Sequence, residues 1–181
     1  MFSIKSKNRY KVIIPEIYQN IIERSRSKFF YLNLDIDDSF ESRFDIIILH
    51  SFIIFYFLKN LSDNDRELSQ LLFDFMFDDF DNNLREMGFG DIAVNKRMKQ
   101  FIKAFYGRID NYSKSLVQLV DFNDYRMLNE TISRNIYKEK SIEEECIVFW
   151  REYIVNSISY FNSNTLDENI NNLFAFSDLE I

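Results

Sequence analysis

Glycine occurs three times and proline once in 181 residues, where an average chain of this length carries roughly 12 and 9. That scarcity argues against a β-rich fold, whose turns need positive-φ glycines and proline corners. It also removes most nucleotide-binding loops, which group glycines at set spacings before a helix. One Cys and one His exclude a disulfide framework and any zinc site built from several such ligands. Basic excess is lacking too. The net charge is −7 and the pI about 4.8, the wrong sign for a non-specific nucleic-acid binder unless one face is locally basic. A long apolar run is also missing. The longest, Ile46 to Leu58, is interrupted by His50 and Ser51 and would span only ~20 Å as a helix, against a ~30 Å hydrocarbon core. It reads as the buried helix of a soluble domain. The start, Met1 to Ile14, is basic but has neither the apolar core nor the small-residue cleavage site of a signal peptide. A cytosolic protein, without a resident metal or cofactor, is the expectation.

What is present is hydrophobic and aromatic: 46% and 17% of the residues, with 20 Phe and 10 Tyr. That is ample for a core. Helical punctuation divides the chain. A first helix is expected over Tyr10 to Lys28, with Pro15 near its start or at a kink, then an extended link from Phe29 to Asp38. Asp38 with Glu41 resembles a capping box for a second helix reaching about Asn60. Ser62 or Asp63 caps a third, Asn64 to Met87; Gly88 provides a left-handed stop, and Gly90-Asp91 the turn and next N-cap. A fourth covers Ile92 to about Val117 and a shorter fifth Asn123 to Tyr137. Two more capping boxes, Ser141 with Glu144 and Thr165 with Glu168, open a long helix to about Phe161 and a short terminal one. The predicted fold is all-α, one compact domain of six to seven helices over 1–181.

Two neighbouring helices differ in charge. Asn60 to Asp91 holds nine acidic and two basic residues; Ile92 to Leu116 holds six basic residues and one acid, Asp110. On the fourth helix Met98, Phe101, Ile102, Phe105, Ile109, Tyr112 and Leu116 form an apolar stripe at 100° per residue. Lys96, Lys99, Lys103 and Lys114 fall opposite it, with Arg97 and Arg108 on one flank. The basic face is either solvated surface or an electropositive patch for an anionic lipid layer or acidic partner. Gly107 lies on the same face, where Ala would be preferred by ~1 kcal/mol. It marks either a kink or close approach of a partner.

Candidate chemistry is thin. Glu67, Asp74, Asp78 and Asp81 share a strip closed by Arg85, but a di-iron site needs paired Glu-x-x-His motifs, so a solvated face is the simpler reading. His50 reads as a core histidine with a backbone or carboxylate partner. Cys146, among Ile142, Ile147, Phe149 and Trp150, reads as a buried thiol. No nucleophile elbow, phosphate loop or acid/base pair is present, so no enzyme is expected.

The run Leu84-Arg85-Glu86-Met87-Gly88-Phe89-Gly90-Asp91, continued through Val94, Lys96, Arg97 and Phe105-Tyr106-Gly107-Arg108, resembles the signature of the ubiquinol–cytochrome c chaperone family. A second block agrees: Phe30-Tyr31, Leu34, Arg43-Phe44-Asp45 and Leu49-His50. Leu128 with Arg134-Asn135 forms a weaker third, and Asp74, Asp81, Phe73 and Phe77 are similar to the family pattern. The resemblance covers about residues 10–150, leaving the tail at 163–181 without a family role. Asp35, Asp37 and Ser42 stand where the family has glycine, proline and glycine, Phe89 replaces a smaller aliphatic residue, and Asn95 replaces a glycine. Asp tolerates left-handed φ better than most residues. All three glycines fall inside the strongest block, which implies a backbone requirement there.

The resemblance implies a non-enzymatic assembly factor for ubiquinol–cytochrome c reductase that associates with newly made cytochrome b or its assembly intermediate. It would use no cofactor and would sit peripherally at the cytoplasmic face of a bacterial inner membrane. The mitochondrial members work with a small partner protein near the ribosome exit, a contact that no residue quoted above specifies. On this reading the first block and the basic face carry partner binding, and Arg97 and Arg108 hold carboxylates across a helix–helix or client contact. The alternative is a general helical scaffold that binds proteins or membrane surfaces without a cytochrome client.

Overall fold

The computed structural model describes residues 4–61, 66–138 and 140–179, with side chains from residue 10 onward except that of residue 66. Among these residues it is all-α, with eight helices and no strand: α1 (Ile4–Ser25), α2 (Lys28–Leu32), α3 (Phe40–Lys59), α4 (Arg66–Glu86), α5 (Asp91–Phe122), α6 (Arg126–Ile136), α7 (Glu144–Ser163) and α8 (Leu166–Asn171). The eighth is α2, five residues inside the segment expected to be extended. A helix that short is below the length at which apolar periodicity can be read. It forms because the Ser27 hydroxyl accepts from the Phe29 N–H and because Phe30 is buried on Trp150. α1 begins earlier than predicted, so Pro15 lies well inside it, on the exposed side. There it removes one intrahelical hydrogen bond.

α3 is the axis of the fold. Its run from Ile46 to Leu58 carries no charge, and α1, α4, α5, α6 and α7 all pack against it. Low charge on every side is what a helix enclosed by neighbours requires. None of the helices described is long and apolar enough to cross a membrane. α5, at 32 residues, runs ~48 Å, past the predicted end, and stops at Asn123 in the left-handed conformation (φ 51°).

The caps follow local chemistry, with two corrections. Ser39, not Asp38, caps α3: its hydroxyl accepts from the Ser42 N–H at 3.1 Å, and Asp38 instead takes Arg43 in a two-pronged pair at 2.6 and 2.9 Å. α7 starts at Glu144 behind Glu143, without a side-chain cap, so the Ser141–Glu144 box does not form. The Thr165–Glu168 box does. The proposed caps at Ser62 or Asp63 lie outside the described residues. Asp35 adopts φ 51°, the left-handed conformation that Asp tolerates better than most residues.

The tail packs on the core. Ile170 and Phe174 are buried, Phe174 sits 5.3 Å from the Phe161 ring, and Phe176 meets His50 edge-on. Leu173 and Phe174 both have positive φ, a strained state for such residues. It is held by burial of Phe174 and by Asn20, which donates to the Leu173 carbonyl at 2.7 Å.

Gly88 ends α4 at φ +88°. Its N–H donates to the Arg85 carbonyl and the Phe89 N–H to that of Leu84, the paired bonds of a Schellman turn. Replacing Gly88 with Val forces a branched side chain into that conformation at a cost of about 1–2 kcal/mol. Thermal unfolding of the variant should be lowered by roughly 2–8 °C; an unchanged midpoint would refute the role of the turn.

Candidate partner-binding surface

The first motif block occupies the α4–α5 corner. Arg85, in the last turn of α4, reaches Asp81 behind it and Asp91 across the turn, each at 2.5 Å. The guanidinium of Arg97 lies 4.2 Å from the centre of the Phe89 ring. The carboxylate expected for Arg97 is thus replaced by an aromatic face: Phe89, the residue that departs from the family pattern, supplies a cation–π partner. Gly90 caps α5 through its carbonyl, which accepts from Ala93 and Val94. Glu86, Met87, Gly88, Gly90, Asp91 and Lys96 are all exposed.

Further along α5 the block divides. Phe105 is buried against Phe73 and Phe77, whereas Tyr106 and Gly107 face outward. Of the basic face, Lys96, Lys99 and Lys103 are exposed, while Lys114 pairs with Asp110 one turn back at 2.6 Å. Ile102, predicted for the apolar stripe, is 36% exposed, at the stripe's edge.

The structure joins the two blocks through Asp45. This carboxylate is 1% exposed and takes Arg108 from α5 at 2.5 Å and Lys138, just beyond α6. Burial pulls both cations down from their ordinary values, against a smaller upward pull from Tyr112 on Arg108 and from Glu41 on Lys138. Lys138 carries no sequence signal toward Asp45, 93 positions away. Next to Asp45, Phe44 packs 4.7 Å from Phe101 of α5 and 5.5 Å from Phe80 of α4.

His50 is not brought to this surface. It is fully buried, with Nδ1 2.8 Å from the Ile46 carbonyl and Nε2 2.8 Å from the Tyr153 hydroxyl. The carbonyl can only accept, which assigns the proton to Nδ1. Nε2 then accepts from Tyr153, whose oxygen in turn accepts from Arg24 at 3.0 Å. Burial, with Arg24 nearby, drives the His50 pKa down to about 3, so the ring is neutral. Cys146 is buried, and burial pushes its thiol up. The acidic strip of α4 forms no group of metal-ligating side chains among the described residues.

A feature that sequence reasoning missed lies beside the corner. α1, α3, α4 and α5 leave an apolar groove of about 420 Å³ floored by Ile22, Phe44, Ile47, Phe80 and Phe101, with the mostly exposed Met87 at its edge. Arg26 and Arg43 stand on its rim. It was illegible because its walls come from four helices distant in sequence. A larger depression along α7 is lined by Glu143, Glu144, Glu145 and Glu152; it holds no residue of either principal motif block.

The ubiquinol-cytochrome C chaperone family model matches residues 32–153. Two curated relatives, the proteins named ubiquinol-cytochrome c reductase complex assembly factor 1 of Mus musculus and Homo sapiens, are 22% and 23% identical over 158 residues. Those residues are 87% of this chain and 52% and 51% of theirs, so the chain spans about half the length of the curated relatives it matches. The crystal structure of the Cbp3 homolog from Brucella abortus superposes with a TM-score of 0.80 at 26% identity, covering 97% of this chain and 94% of that one.

Two measurements probe this geometry. Asp45→Asn leaves two cations without their shared carboxylate and should cost about 3 kcal/mol, while Lys138→Gln, at a side chain 42% exposed, should cost under about 1 kcal/mol; urea unfolding that ranks them otherwise would refute the hub. His50 gives a pH signature because it is the sole histidine. Its folded pKa lies below the unfolded value of about 6.5, so the unfolded state takes up the proton first. Stability is complete above that value and is lost as pH falls toward 3. Between pH 8 and 5 the loss should reach about 2 kcal/mol, and a flat profile there would show that the folded ring accepts a proton.

Proposed function

Because this chain belongs to the ubiquinol-cytochrome c chaperone family, we propose that it is an assembly chaperone for ubiquinol–cytochrome c reductase, holding newly made cytochrome b at the membrane surface until assembly proceeds. The observation that carries this reading is the α4–α5 corner, where motif residues are displayed outward beside an apolar groove rather than gathered around a reacting centre. Glu86, Met87, Asp91 and Lys96 face solvent, as residues that meet a partner must.

The mechanism is holding. Side chains of an apolar client segment enter the groove over Phe44, Phe80 and Phe101, each buried aliphatic group gaining about 1.5–3 kcal/mol. Arg26 meets carboxylates or carbonyls at its margin. A groove with room for only a few side chains returns little beyond the cost of association, so the client is released when a better-packed neighbour arrives. The basic side of α5 keeps the complex close to an anionic membrane face, where such a client emerges.

Affinity purification of the full chain in mild detergent should recover cytochrome b, and Met87→Glu should lower that recovery at least several-fold without changing the unfolding midpoint, since Met87 is 62% exposed. An eluate free of cytochrome b, or normal reductase levels in a deletion strain, would overturn the reading.

A further inference from the structure

Between α5 and α6 lies an open cleft of about 490 Å³, separate from the apolar groove, lined by Lys103, Gly107, Arg108, Arg134 and Lys138 together with the amides of Gln100 and Asn111. Four cations surround it. Asp45 takes two of them, Arg108 and Lys138, and Glu41 lies within electrostatic reach of Lys138. Lys103 and Arg134 have no ion-pair partner among the described residues. A local positive surplus in a chain of net charge −7 creates a field that attracts anions to this cleft. The Arg108 Nε is buried without a hydrogen-bond partner, which leaves part of its donor fork unspent.

Gly107 adds an independent observation. It sits in mid-helix, its φ is not positive, and a Cβ built on it would meet nothing within 4 Å. Neither backbone conformation nor internal packing therefore calls for glycine, yet Ala would stabilise the helix by about 1 kcal/mol. Gly107 lines the cleft, and a side chain there would project into open space.

We propose that this cleft is a binding site for the phosphate of an anionic phospholipid headgroup. The Arg134 guanidinium, the Lys103 ammonium and the amides of Gln100 and Asn111 line one space, and together they suit the four oxygens of a phosphodiester better than the two of a carboxylate. The surroundings select a lipid over a free anion. On α5, across the row of Lys96, Lys99 and Lys103 from the cleft, Tyr106 is 58% exposed and Ile102 36%. Ile92, on the lysine row itself, is 88% exposed. An exposed tyrosine and aliphatic groups bordering lysines suit a headgroup boundary, and a soluble phosphate would leave them idle. The proposal deepens the membrane-surface part of the functional reading and does not depend on the client, so the purification above and the test below can fail separately.

The test is co-sedimentation of the full chain with vesicles of equimolar phosphatidylglycerol and phosphatidylcholine, against phosphatidylcholine alone. Binding is expected only to the first and should weaken as salt rises. Diffuse attraction alone costs about five-fold per cation, about 25-fold for any pair, so Lys103→Gln with Arg134→Gln should lose well over 25-fold. Lys96→Gln with Lys99→Gln, outside the cleft, should lose less. Gly107→Leu changes no charge but fills the floor, and should lower binding at least ten-fold with an unfolding midpoint no lower than that of the parent chain. Equal losses from the two double variants, or full binding by a folded Gly107→Leu protein, would overturn the site in favour of diffuse attraction. Calorimetric binding of inorganic phosphate without vesicle binding would overturn the lipid assignment. Cleft-dependent binding of RNA without vesicle binding would do the same.

Discussion

A carboxylate with almost no exposure to water sets the arrangement of this protein. Asp45 lies on α3, the helix that every other long helix encloses, and a charge in that position is sustainable only if cations are delivered to it. Arg108 arrives from α5 and Lys138 from the segment after α6. Meeting that requirement fixes how far along α3 the 32-residue α5 can slide, and it ties the start of the α6–α7 connection to the same point. A hydrophobic pair in its place would hold the helices together but would tolerate several registers. The ion pair selects one, because a slip of one turn would strand a buried charge.

Around this hub the shared motif separates into two kinds of residue. Phe44, Asp45, Phe105 and Arg108 face inward and position α5 against α3 and α4. Arg85, Gly88 and Gly90 shape the corner. Met87, Lys96 and Gly107 face outward, as does much of Tyr106, whose ring also rests on Phe73. A family signature is therefore not one site. Part of it maintains the platform, and the remainder is what the platform displays.

Local features were legible in the sequence and distant ones were not. Gly88 as a left-handed stop and Thr165 with Glu168 as a capping box are settled within a few residues of chain, and both form. Asp38 and Ser39 are adjacent residues of equal capping ability; the choice fell to Ser39 because Arg43 claims the Asp38 carboxylate, a preference that spacing does not reveal. The helix at Lys28–Leu32 depends on burial of Phe30 against Trp150, 120 positions away. The apolar stripe of α5 correctly located Phe105, Tyr112 and Leu116 inside. The same wheel could not say that Arg97 would lie on Phe89 while Arg108 would find Asp45, since both sit on one flank. The apolar groove and the α5–α6 cleft exist only once several helices converge. His50 was readable as a core residue, but its Tyr153 and Arg24 partners lie on α7 and α1.

The strained turn at Leu173 and Phe174 has a bearing on how the chain reaches this state. Phe174 seals against Phe57 and Phe161, Phe176 closes over His50, and Asn20 of α1 grips the turn's carbonyls. The residues that finish the core thus lie 153 positions from the side chain that anchors them. Until they dock, the ring of His50 and one side of α3 stay wet, and α1 lacks its clamp. A closure that joins positions so far apart must meet the loss of chain freedom before its contacts repay it, so this corner of the core is set late in the folding search.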